Sequence, residues 1–177
     1  MPYSVDRKWS DKMIPQIKSF VGPHLLQPAA FELDAKQATD LMVLTARDMR
    51  IAARVRRPGY LDKYRFEITL RCKRDSGAET ELSKVVNGWG DWLFYGHADK
   101  EDQIVLWWLV CLNAFRAGLI RNGHGYKIKC GTKDNKDGTH LKAYDLRTFP
   151  PKPPILIASS HPLPGKASLN VIDGSAA

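Results

Sequence analysis

The chain has 177 residues, 44% of them hydrophobic, and a formal net charge of +8. That length can bury the core of one domain, and the longest apolar run, Ile104 to Leu112, is far short of the roughly 20 residues of a membrane-spanning helix. The polar start from Met1 to Ser10 lacks a signal-peptide core, and Cys72, Cys111 and Cys130 lack metal-ligand spacing, so a cytoplasmic protein with reduced thiols is expected.

Ser10 is a candidate N-cap for a helix with Ile14, Ile17, Phe20 and Val21 at helical spacing. Pro15 suits a first turn, so the regular helix is expected to start there and to stop at Gly22-Pro23. A loop over 28–39 leads to a short strand, Leu41 to Leu44, introduced by Asp40. Thr45 to Asp48 turns into a second strand with Ile51, Ala53 and Val55 on one side. Pro58-Gly59 breaks it, and a third strand runs from Tyr64 to Lys73. Thr80 to Asn87 reads as a short helix ended by Gly88. Asp91 to Ala98 and Ile104 to Leu112 read as buried strands, with a helix as the alternative for the second. A helix from Asn113 to Ile120 follows, then a strand Tyr126 to Cys130, a turn Lys133 to Gly138 and a partner strand Thr139 to Leu146.

Residues 1–149 are thus expected to form one globular domain of α+β or mixed α/β class, with a three-strand meander, two buried strands and flanking short helices. From Pro150 to Ala177 proline, glycine and serine predict a flexible arm. Residues from His161 onward are expected to be dispensable for folding, while Ile155-Leu156-Ile157 could dock as a short edge strand or against a partner.

The charge is concentrated. Arg47 to Arg74 holds ten Arg and Lys residues against three acids. In the third strand Arg65, Glu67, Thr69, Arg71 and Lys73 alternate with Tyr64, Phe66, Ile68, Leu70 and Cys72. In the second, Arg50, Arg54 and Arg56 alternate with Ile51, Ala53 and Val55. Period two places one set on each face of a strand, so two neighbouring strands would build one cationic surface. Such a surface repels itself and suits an anionic partner, DNA or RNA above all. Arg50, Arg54, Arg56, Arg65, Arg71 and Lys73 are the expected contacts. Trp89, between Gly88 and Gly90, is the aromatic least suited to a core and the best candidate for base stacking.

The order helix, three-strand meander, helix, strand over roughly residues 10–120 resembles the PD-(D/E)xK nuclease-like superfamily. The resemblance implies a restriction-endonuclease-like core. It also implies a Mg²⁺ site in which an acid near a strand start and an acid-x-Lys on the next strand hold the metal that activates water. Asp40 stands at the first position; Glu67-Ile68-Thr69 is the nearest match to the second, with Thr69 where the family has lysine. The segments Gly88-Trp89-Gly90-Asp91-Trp92 and Phe94-Tyr95-Gly96 look like those of uncharacterised phage or prophage proteins. Three readings follow: a nucleic-acid-binding protein without chemistry, a Mg²⁺-dependent phosphodiesterase using Asp40 and Glu67, or a module whose basic face meets an acidic protein. The first needs no cofactor and is preferred, because the basic pattern is clearer than the metal motif. Glu81 and Lys84, three apart, read as a solvated helical pair.

Overall fold

The computed structural model describes residues 3–28, 41–43, 49–135 and 137–164. Asp40, the loop over 29–39, the turn over 45–48 and the tail from residue 165 lie outside the described residues. The chain divides into two compact units, Met1–Met49 and Arg50–Ala177.

In the first unit α1 (Tyr3–Val21) carries Met13, Ile17 and Val21 at four-residue spacing on its buried face. It starts well before the expected Pro15 and continues through it. Pro15 is exposed, so the helix carbonyl that it leaves without a donor can bond water. A 3₁₀ turn (Gly22–Leu25) leads to β1 (Leu26–Pro28), which pairs antiparallel with β2 (Leu41–Val43). Where a hairpin between β2 and the next strand was expected, β2 takes β1 as its neighbour among the described residues.

The second unit is of mixed α+β class and holds two sheets. One has the order β3–β5–β6–β9, from β3 (Ile51–Arg56), β5 (Trp92–Ala98), β6 (Ile104–Cys111) and β9 (Leu156–Ser159). The other has the order β4–β8–β7, from β4 (Glu67–Arg74), β8 (Thr139–Asp145) and β7 (Cys130–Asp134). β3 runs parallel to β5, and the remaining pairs of these two sheets are antiparallel. Three helices complete the unit: α2 (Leu61–Tyr64), α3 (Glu81–Val86) and α4 (Leu112–Arg121).

The expected meander is thus corrected. β3 and β4 belong to different sheets. Alternation sets which face a side chain takes, not which strand lies alongside. All seven residues of β5 are buried, and a strand apolar on both faces must be central. β5 therefore takes the place beside β3, and β4 crosses to the second sheet.

β6 is a strand, as its antiparallel register with β5 shows. The turn before it is held by Asp99, whose Oδ1 accepts from the Glu101 and Gln103 amides at 3.0 and 2.8 Å. Tyr95, Trp108 and Val110 of the first sheet pack with Ile68 and Leu70 of β4, Tyr144 of β8 and Phe115 of α4 in one core. Phe149 stacks on Phe115 at 5.4 Å and lies so close to Gly118 that a Cβ there would sit 2.6 Å from its ring. This glycine lets α4 approach.

β7 begins at Cys130 instead of ending there, so the hairpin turn is shorter than expected. The proline-rich stretch after Pro150 returns to the sheet as β9, the edge-strand docking expected for its apolar triplet. Leu163 is buried in the core, which corrects the boundary drawn at His161. No helix among the described residues is long and apolar enough to cross a membrane.

Candidate nucleic-acid interface

β4 has one edge paired with β8; its other edge is sealed by side chains. The Thr69 amide donates to the Tyr95 hydroxyl at 3.3 Å. Arg54 Nη1 donates to the Thr69 carbonyl at 2.6 Å and to Glu81 Oε2 at 2.8 Å. The same Glu81 oxygen accepts from the Arg71 amide at 3.3 Å. Arg54 comes from β3, where it lies opposite Tyr95 and so shares its face. It is a structural cation that joins the two sheets, not the solvent-facing contact its alternation suggested. Glu81 turns to Arg54, which corrects its reading as half of a solvated pair with Lys84.

Beyond this seal the surface opens into a cleft of about 490 Å³. Arg50, Arg71, Arg74 and Lys84 bring positive charge to it; Ile51, Ala52, Val85 and Leu112 contribute apolar surface. Glu79 and Glu81 are its acids, and Glu81 is already engaged by Arg54. Burial lowers the affinity of Arg71 for its proton, and the neighbouring charges of Arg74 and Arg54 lower it further, against the opposing pull of Glu81 and Asp137. The guanidinium stays charged, and the shift reflects burial first and the neighbouring cations second. The Nε atoms of Arg71 and Arg74 are buried and have no hydrogen-bond partner among the described residues.

Trp89 stands at the rim, 58% exposed. Its position is set by the end of α3. The Gly88 amide donates to the Val85 carbonyl at 3.1 Å and the Trp89 amide to the Lys84 carbonyl at 3.0 Å. This Schellman pattern needs a left-handed residue at Gly88, whose φ is +93°. Gly90 also has positive φ, +78°, and a Cβ there would meet Leu112 at 3.0 Å. Arg116 of α4 donates to the Val85 carbonyl at 3.0 Å and reaches the Gly90 carbonyl at 3.4 Å. Asp91 accepts from the Arg50 amide at 3.0 Å, and the Arg50 carbonyl accepts from the Asp91 amide at 2.9 Å. The Arg50 guanidinium then lies over the Trp89 ring, 5.3 Å from its centroid. Asp91 thus braces this loop.

The expected contacts are therefore dispersed. Arg50, Arg71 and Trp89 meet in this cleft. Lys73 lies in an adjoining 350 Å³ hollow with Arg74, Gly77 and Ser83. Arg56 lies over Tyr60 at 4.7 Å. Arg65 and Glu67 line a different cleft, of about 420 Å³, with Asp62, Lys63, Phe66 and Arg147. Among the described residues no group of three or more His, Cys, Asp or Glu side chains could hold a metal ion. Glu67 instead has Arg147 nearby, whose proton its charge helps to hold.

Sequence reasoning missed Arg74 and Lys84 as members of the site. The signal for Lys84 was present: a glycine after a short helix reverses the chain and returns the next residue over the helix end. The chain has no significant match among family models, curated proteins or solved structures.

Proposed function

We propose that the protein binds nucleic acid through the cleft of Arg50, Arg71, Arg74, Lys84 and Trp89, without catalysing a reaction. The observation that carries this reading is the pair Arg71 and Arg74: neighbouring guanidinium groups with unpartnered Nε donors, crowded with like charge, beside an exposed tryptophan. A phosphate relieves that repulsion. Apolar surface next to the cations suits a ligand that is part charge and part aromatic ring.

Fluorescence anisotropy of labelled DNA and RNA against salt concentration tests it. Arg71→Ala should weaken binding similarly across sequences and lower the salt slope by about 0.7–0.9 per lost phosphate contact. No binding of any nucleic acid at low salt sinks the proposal and favours an acidic protein partner for the same cations.

The second reading, a Mg²⁺-dependent phosphodiesterase of nuclease-like ancestry, has one observation in its favour: Glu67 shares its cleft with another carboxylate, Asp62. Against it, Lys63, Arg65 and Arg147 line the same cleft and compete with a cation for those oxygens.

A further inference from the structure

We infer that the ligand of the Arg71 cleft is an unpaired strand, one base lying on the Trp89 ring while the flanking phosphate meets Arg71 and Arg74. This deepens the nucleic-acid reading and rests on it. The argument begins with what Trp89 offers. The residue is 58% exposed, so ring surface remains open beside the Arg50 guanidinium that lies over it. In a duplex every base face is covered by its neighbours, so an aromatic face finds a partner only where a base is unstacked. A duplex binder needs cations and groove readers; an exposed indole adds nothing to it unless it wedges between base steps.

The surroundings also suit a single nucleotide unit. The cleft, about 490 Å³, falls within the range of small-ligand pockets, about 300–1,000 Å³. Val85 and Leu112 lie beside the cations, so a base can leave water where its phosphate keeps a charge partner. Trp89 is held in place. The Gly88 cap and the Arg116 bonds to Val85 and Gly90 fix its backbone, and Arg50 lies against its ring. Little main-chain freedom remains to be lost on binding, so a stacked base gains contact at small entropic cost. Stacking on a π face is tolerant of base identity. The inference therefore includes weak sequence preference.

The test is anisotropy of oligothymidylate, oligouridylate and a mixed-sequence duplex with the full chain at one low salt concentration. Wild type should bind both single strands about tenfold or more tighter than the duplex, and Trp89→Ala should lose about tenfold on the single strands with little change on the duplex. Trp89→Phe, which keeps a stacking face, should recover most of the loss. Circular dichroism of each variant checks the fold. Duplex binding as tight as single-strand binding, or equal loss on both with Trp89→Ala, overturns this inference and leaves the nucleic-acid reading standing. Binding to neither overturns both.

Discussion

At the first residue of β4, Glu67 opens on a cleft with Asp62, Lys63, Arg65 and Arg147; toward its last, Arg71 and Arg74 open on one with Arg50, Lys84 and Trp89. Each cleft mixes two glutamates or aspartates with an excess of cations. They differ in where the counter-charge goes. Arg147 is bound twice by Asp145, Nε to Oδ1 at 2.9 Å and Nη2 to Oδ2 at 2.7 Å, and lies 4.7 Å over the ring of Phe66. Its hydrogen bonds and its aromatic partner are supplied by the fold. Arg71 and Arg74 keep buried Nε donors with no partner among the described residues, and Glu81 of the same cleft is drawn to Arg54. The composition of a basic patch therefore says less than the number of its donors the fold leaves unspent.

The strongest way to break the comparison is Arg147→Ala. Asp145 is 4% exposed, and burial alone would raise its affinity for a proton. Hydrogen bonds from the Arg147 side chain and amide, and the Arg147 charge, outweigh burial and hold the carboxyl below its ordinary value. Removing the guanidinium leaves a buried carboxylate with one backbone donor. A loss of about 3 kcal/mol is expected in chemical denaturation, with nucleic-acid affinity unchanged. In wild type this carboxylate stabilises the fold above the ordinary carboxylate range, and that contribution fades as pH falls through its lowered value. Arg71→Ala should do the reverse: weaker binding, stability nearly intact.

A smaller effect is expected from His97. It is 1% exposed, and neither ring nitrogen has a partner among the described residues. Burial, then the charges of Arg56 and Arg65, push it down to about 4 from 6.5. The unfolded chain binds the proton first, so stability falls as pH drops from 6.5 toward 4, by on the order of 2 kcal/mol. His97→Phe should flatten that slope and keep or raise the midpoint at neutral pH, because no hydrogen bond is lost. An unchanged slope in thermal melts across this range would show that the histidine is not its source. His140 acts with the opposite sign. Hydrogen bonds it donates to Asp134 and Asp75 raise it, so its contribution is present at low pH and is lost as pH rises through its raised value.

The smallest expected effect is at Glu67. On the binding reading, Glu67→Gln should leave binding unchanged, and wild type should cut no labelled nucleic acid with Mg²⁺ or Mn²⁺. Cleavage that Glu67→Gln abolishes would reverse the assignment and make this cleft the functional one.

Much of the second unit was legible in the sequence. The unbroken apolar runs of β5 and β6, the Gly88 stop of α3 and the helix after Leu112 each carry a local signal. The sheet partners were not legible, because alternation in Arg54 and Arg71 records a face and is silent about the neighbour. The site was half legible for the same reason. Trp89 stood out by its glycines, whereas the capture of Arg54 by Glu81, 27 residues away, depends on how the two sheets meet.

The seal along β4 has a consequence for the protein in a crowd of its own copies. An unpaired strand edge is a template on which a second chain can add a strand. Here the amides of Thr69 and Arg71 and the Thr69 carbonyl, which β8 leaves unpaired, are occupied by Tyr95, Glu81 and Arg54. Those three side chains close this edge of the sheet to a further strand. Their value is to solubility, and it is held by residues that need touch no ligand at all.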